Sequence, residues 1–297
     1  MDSLALGDAS GRLPPTSVRL APPGLIGRSW PDADATTTRE LRADGVLVFS
    51  VAHTPGVGYL LTLPSHGRFL VDELGTDVLC EPSPDREDWS DGLAIQALPL
   101  ACTLRGLEPF HASGVSIQDQ ALMITGPVTS GKSSLAAWLV RGGATLLSDD
   151  VVAVDLVDGV VRAHPGGRWL RVRSPEAALL SAGTGRWPRL AETRRGRLRF
   201  EAPVSNGARP LRAVYVLAPA PEGCEPITEL PTSGVALLAA TYNLSVREPR
   251  RLRCQLELLH ELASRVPLYR LAVSPASKAV QLAEAIRVHF QAQVLVE

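Results

Sequence analysis

Lysine is nearly missing from this chain: of its 30 basic residues, 28 are Arg and two are Lys. Cysteine is sparse too, and Cys80, Cys102, Cys224 and Cys254 stand far apart, with no C-x-x-C pair and no histidine at ligand spacing. That excludes a zinc site or a disulfide framework, and leaves reduced thiols in a cytoplasmic protein as the expectation. No apolar run reaches the ~18–20 residues that span a bilayer, and no basic segment followed by an apolar one opens the chain, so neither membrane insertion nor export is expected. The net charge of −1 supplies no drive toward nucleic acid or an anionic membrane. No internal repeat is visible. With 297 residues, 45% of them hydrophobic and 21% charged, the chain can bury a full core, and its length favours about two domains.

Against this background one stretch stands out. Gly126-Pro127-Val128-Thr129-Ser130-Gly131-Lys132-Ser133, followed by Ser134, satisfies G-x-x-x-x-G-K-[ST]. It lies between an apolar run, Ala121–Thr125, that reads as a strand, and a helix-forming run, Ser134–Arg141, that stops at Gly142-Gly143. The glycines let successive N–H groups turn toward anionic oxygens, and the helix dipole adds positive potential at the same place. Lys132 would bring an ammonium to the β- and γ-phosphates, and Ser133 would place a hydroxyl on Mg²⁺. One of only two lysines therefore falls where a compact point charge is needed. The plain alternative, a chance Gly/Ser turn before a helix, does not account for the flanking strand and helix.

Elsewhere the chain alternates readable and unreadable segments. Residues 1–35, rich in proline, are expected to be an extended lead-in. From Val46 three short apolar runs, Val46–Val51, Tyr59–Leu63 and Arg68–Val71, predict a small antiparallel sheet; His53 and His66, beside its turns, are solvated rather than ligands. Trp89–Leu104 carries a helical apolar face interrupted by Pro99, which predicts a kink or break. Phe110–Ile117 and Ala121–Thr125 form a hairpin, so the phosphate loop hangs from a hairpin rather than from a parallel sheet. A strand at Thr145–Leu147, a hairpin around Asp158-Gly159, and a strand at Arg168–Arg173 follow. Residues 183–209 read as a mobile loop. Strands at Arg212–Leu217 and Leu268–Val273 and helices at Ser233–Tyr242, Arg250–Arg265 and Ala276–Gln291 complete the pattern.

Asp149 and Asp150 follow an apolar strand, 17 and 18 residues beyond Lys132. One carboxylate could hold Mg²⁺ while the other accepts the proton of an attacking hydroxyl, and proximity separates their proton affinities. Such pairs also close solvated turns, but the tie to a phosphate loop favours chemistry.

Here the chain resembles a known family, the HPr kinase/phosphorylase catalytic domain and its bacterial relatives, related in fold to phosphoenolpyruvate carboxykinases. The likeness rests on Phe110-His111-Ala112-Ser113-Gly114-Val115, with its histidine 15 residues before Gly126, on the phosphate loop, and on Arg141 to Val152 with the paired aspartates. It runs from about Phe110 to Val154; the strand Val266–Leu271 and the last helix fit smaller relatives. The resemblance implies an α/β fold with a phosphoenolpyruvate carboxykinase/HPr-kinase-like P-loop core at 105–297, preceded by the lead-in at 1–35 and a small β-rich N-terminal module with one helix at 36–104. It implies a serine kinase using ATP and Mg²⁺, with Asp149 as base, His111 orienting it or raising its basicity, and Ser133 and Asp150 on the metal. The chain departs from true HPr kinases in three ways. Thr129 replaces their loop glycine, only Pro165–Arg171 approaches their later glycine-rich signature, and residues 40–80 do not look like their regulatory domain.

The partners expected are thus a nucleotide and a protein or peptide phospho-acceptor, with no nucleic acid and no membrane; a homo-oligomer is compatible with the chain. A nucleotide-binding regulatory module without transfer, and a small-molecule kinase, are the competing functions. The segment 186–199 holds six arginines in fourteen residues, and is either a solvated loop or a lid that closes over the phosphates.

Overall fold

The computed structural model describes residues 16–84, 89–173, 177, 178, 180, 189–192, 197–231, 234–242, 245–274 and 277–294. Its chain divides into two compact units, Met1–Pro109 with Tyr242–Leu256, and Phe110–Thr241 with Glu257–Glu297.

The first unit contains a six-stranded sheet. Its strands are β1 (Ser17–Leu20), β2 (Thr36–Ala43), β3 (Val46–Thr54), β4 (Gly58–Leu63), β5 (Gly67–Val71) and β6 (Asp77–Pro82), in the order β1-β6-β5-β4-β3-β2. All pairs are antiparallel except β1–β6. One face carries Val51, Leu61, Phe69 and Val78 against Leu93, Ala97 and Leu100 of the following helices. The other is covered by the short helix α1 (Leu25–Ser29), whose Ile26 packs with Trp30 and Leu60. The expected lead-in thus contributes, from residue 16 on, both a strand and a covering helix; residues 1–15 lie outside the described residues. The interruption expected at Pro99 takes a specific form. A π-turn, Leu93–Ala97, joins α2 (Trp89–Gly92) to α3 (Leu98–Leu104), and the proline falls in the first turn of α3, directly after the widened turn.

The second unit is built on a mixed sheet whose strands include β8 (Ala112–Ile117), just after β7 (Glu108–Phe110), then β9 (Gln120–Thr125), β10 (Thr145–Ser148), β11 (Val152–Val157) and β12 (Val160–Ala163). It is completed by β16 (Arg209–Pro219), which follows β13 (Trp169–Arg173), β14 (Arg189–Glu192) and β15 (Arg197–Glu201), and by β17 (Ile227–Glu229) and β18 (Leu268–Val273). The β8–β9 hairpin turns through Gln118 and Asp119 and the β11–β12 hairpin through Asp158 and Gly159, all four with positive φ, the geometry that lets a two-residue turn follow strand twist. β9 pairs antiparallel with β8 and parallel with β16, which pairs parallel with β18.

Side chains on β9 alternate as the pleat requires. Leu122 and Ile124 face the helices α4 (Lys132–Arg141) and α7 (Ala279–Val294), while Ala121 and Met123 face a second core with α5 (Gly234–Leu238) and the Leu259–Leu262 turn of α6 (Pro249–Arg265). Of the helix expected at Ser233–Tyr242, the described residues form the five-residue α5 and a turn after it; Ser233 lies outside the described residues.

The segment 183–209 is not a loop throughout. β14 and β15 form a hairpin that joins β13 in a separate three-stranded sheet, with Leu198 and Phe200 packed into the α4 core. Alternation Leu198/Phe200 is a strand signal that the density of arginines conceals. Residues 181–188 and 193–196 lie outside the described residues.

Candidate active site

Sheet order explains how distant residues converge. β8 lies between β9 and β10 and runs antiparallel to both. The start of β8 therefore meets the ends of the strand that carries the phosphate loop and of the strand that carries the aspartates. A register shift between Leu146 and Ser148 marks a bulge in β10, which re-aims the residues that follow.

The phosphate loop leaves β9 at Gly126, which has φ 146° and lies so close to β16 that a Cβ there would fall 2.9 Å from Leu217 Cβ. It ends at Gly131, φ 102°, the cap residue of α4, which makes no side-chain cap hydrogen bond. Lys132 is buried and its Nζ donates to the carbonyls of Gly126 (3.0 Å) and Pro127 (2.9 Å), so the ammonium is drawn across the loop. The Ser130 hydroxyl is buried with no hydrogen-bond partner among the described residues. An uncapped helix start, an ammonium and an orphaned hydroxyl in one loop fit an anionic oxygen cluster. Val128 points outward, 71% exposed.

Thr129 has φ 66°, a left-handed conformation that is costly for a β-branched residue. The position takes the backbone of a glycine although the sequence supplies threonine. Thr129→Gly is expected to stabilise the protein by about 1 kcal/mol, after allowing for glycine's extra freedom when unfolded, read as a rise in Tm of about 2–4 °C. An unchanged or lower Tm would mean that the loop does not strain Thr129.

Asp149 is buried and held from two sides. Ser113 Oγ donates to its Oδ1 at 2.6 Å, and the Arg171 backbone N–H donates to its Oδ2 at 3.2 Å. Ser133 of the phosphate loop also donates to this carboxylate. Burial, with the neighbouring charge of Asp150, pushes the carboxyl up to about 6, and the three donors only partly oppose that rise. Asp150 sits in a left-handed turn, φ 68°, and its Oδ2 lies 2.6 Å from the Arg171 guanidinium, an ion pair with both side chains largely buried. The pair is thus divided: Ser133 meets Asp149, whereas Asp150 meets an arginine.

His111 is not inside a strand but at the bend between β7 and β8. Its Nδ1 donates to the backbone carbonyl of Asp150 at 3.1 Å, which makes Nε2 the acceptor nitrogen of the neutral ring. Its backbone N–H donates to Ala240 O (2.6 Å), and its carbonyl accepts from Thr125 Oγ1 (3.2 Å) at the end of β9. His111 therefore links the phosphate-loop strand, through its backbone carbonyl, to the aspartate turn, through its ring.

Two residues here were not singled out from sequence. Ser113 appeared only as part of the His111 motif. Arg171 was one of several arginines in an alternating strand, and nothing local distinguishes it from Arg168, which pairs with Glu201 at the surface. Of the arginine-rich segment, Arg199 lies opposite Arg171 in the β13–β15 register, with its guanidinium 5.8 Å from the Trp169 ring centre. Arg186, Arg194 and Arg195 lie outside the described residues.

Among the described residues no three His, Cys, Asp or Glu converge on a metal-sized point, and no helix is long and apolar enough to cross a membrane. A hydroxyl and neighbouring carboxylates still suit Mg²⁺, which keeps several waters and takes one or two protein oxygens together with phosphates.

No family model matches the chain, and no curated protein matches it. Among solved structures, the Hpr(Ser) kinase/phosphatase from Coxiella burnetii is similar at 12% identity and a TM-score of 0.34, over 62% of this chain and 96% of that one.

Proposed function

We propose that this chain is a Mg·ATP-dependent phosphotransferase with an HPr-kinase-like P-loop core, which moves the γ-phosphoryl group to a hydroxyl, a serine of a protein or peptide. The observation that carries the proposal is the contact between Ser133 of the phosphate loop and Asp149, a buried carboxyl pushed up to about 6. It sets the proposed phosphate-binding loop beside the proposed proton acceptor, which Ser113 of the intervening strand β8 holds at 2.6 Å. A binding module alone would have no use for a base tuned toward neutrality.

In this scheme the backbone N–H groups of the 126–134 loop, all but that of Pro127, which has none, hold the phosphates with Lys132, and Asp149 accepts the proton of the acceptor hydroxyl. The acceptor oxygen bonds to the γ-phosphorus as the bridging bond to ADP breaks. Ser133 and Asp150 would hold Mg²⁺, which when bound neutralises phosphate charge. His111 fixes the Asp150 backbone and so the position of the pair. The serine acceptor rests on the sequence resemblance of Phe110–Val154, and four free cysteines support a reducing, cytoplasmic setting.

Calorimetry with Mg·ATP, followed by transfer of labelled γ-phosphate to serine-containing peptides, tests the proposal. Lys132→Ala removes a charged donor and is expected to weaken binding roughly ten- to a hundredfold. Equal affinity in the two proteins would sink the loop assignment; tight binding with no transfer to any hydroxyl acceptor would sink the enzyme assignment.

A further inference from the structure

The parallel strands β9, β16 and β18 end at one edge of their sheet, with Thr125 opposite Val216, Leu217 opposite Leu271 and Pro219 opposite Val273. The phosphate loop leaves that edge after β9. Residues that follow β16 and β18 leave it too, and with the first turn of α7 they line an open cavity of about 260 Å³. Backbone hydrogen bonds tie the segments together: Ala220 N–H donates to Val273 O (3.0 Å) and Ala272 N–H to Pro226 O (2.9 Å). Ser277 Oγ accepts from the Ser274 N–H at 2.9 Å, which fixes the approach to the helix. Pro221, Pro226 and Leu282 give the cavity apolar walls; Glu222, Ser277 and Gln281 give it polar ones.

The cavity and the phosphate loop lie at the same edge of the sheet. α4 and α7 share one core, Leu135 and Leu139 with Ala283 and Ile286, and both helices begin at this edge. Packed helices lie ~8–10 Å apart, so a ligand with phosphates at the start of α4 reaches the start of α7 through a sugar. A site outside the carboxyl ends of adjacent parallel strands is where α/β sheets place such ligands.

We propose that this cavity receives the nucleoside of the nucleotide whose phosphates occupy the 126–134 loop; the inference rests on the nucleotide-binding reading above. The proline and leucine walls cover the faces of a base, the Gln281 amide offers it one acceptor and two donors, and the Glu222 carboxylate accepts from sugar hydroxyls.

The protein carries its own reporter. Cys224 lines the cavity and is exposed, while Cys80 and Cys102 are buried and Cys254 is the other exposed thiol. In a Cys254→Ser background, saturating Mg·ATP is expected to slow maleimide alkylation of Cys224 at least fivefold, whereas Mg·tripolyphosphate, which fills the loop alone, leaves the rate unchanged. Ser277→Trp, which fills the cavity, should lower ATP affinity at least tenfold and Gln281→Ala about threefold, both with unchanged tripolyphosphate affinity, which also reports that the variants are folded. ATP binding with no protection of Cys224 and no loss in either variant would overturn the cavity assignment while the loop assignment stands. If neither ATP nor tripolyphosphate binds the unmodified protein, the loop reading fails and the cavity proposal with it.

Discussion

Asp149→Asn is expected to slow phosphoryl transfer by about 10²–10⁴-fold, the usual contribution of a positioned base, and at the same time to make the protein more stable at neutral pH. The two effects share one cause. Burial and the charge of Asp150 raise the Asp149 carboxyl from its ordinary 3.8 to about 6. A carboxyl raised by folding binds its proton more tightly in the folded chain than in the unfolded one. Its contribution to stability is therefore most favourable below pH 3.8, falls as pH rises toward 6, and stays low above that. Two pKa units correspond to about 3 kcal/mol at pH 7. Asparagine carries no charge to bury but has one carboxamide oxygen for donors that now find two, a loss of about 1 kcal/mol. The net gain is on the order of 1–2 kcal/mol, a few degrees in Tm at pH 7 and little or none at pH 4. In the unmodified protein kcat/KM should climb through pH 6 and flatten above it. Transfer by the variant at the original rate would remove Asp149 as base; equal thermal shifts at pH 4 and pH 7 would show that its charge is not strained.

Arg171→Met should be the most destabilising single change in the site, by about 3–5 kcal/mol, because it strands the Asp150 carboxylate in a largely buried position. The backbone N–H of residue 171 still reaches Asp149, so what is lost is the guanidinium. The uncompensated charge of Asp150 then bears on Asp149, and the acid limb of the pH–rate profile should move to higher pH. Removing both partners, Arg171→Met with Asp150→Leu, should recover much of the stability but not the turnover. As a control, Arg168→Met breaks the exposed pair with Glu201 and should cost about 1 kcal/mol or less. Urea titration of the unmodified protein, Arg171→Met, Asp150→Leu and the double variant gives the coupling energy directly. A double variant no more stable than Arg171→Met alone would show that the ion pair is not what Arg171 contributes.

Legibility varied with how local the determining interactions are. The β8–β9 hairpin, the Asp158-Gly159 turn and the helix after Gly131 were readable because their signals are turn residues and periodicities within a few positions. β2, with the sequence Thr-Thr-Thr-Arg-Glu-Leu-Arg-Ala, was not, because an exposed edge strand has no apolar alternation to reveal it. β1 was hidden among prolines and forms only because β6, some sixty residues later, supplies its hydrogen bonds. The β14–β15 pair was hidden by arginine density, since charge suggests solvent even where, in β15, Leu198 and Phe200 alternate with arginines and are buried.

What the sequence determined by itself is the phosphate loop, the helix it caps, and the presence of two acids at the end of a strand. These follow from backbone conformations that glycine permits and from short-range patterning. Sequence told the two acids apart only through the family resemblance; the physical difference between them comes from the tertiary structure. Ser113 reaches Asp149 across 36 residues and Arg171 reaches Asp150 across 21. Neighbouring aspartates are chemically identical until burial and partners separate them, and those partners are placed by strand order, which no short stretch of sequence encodes.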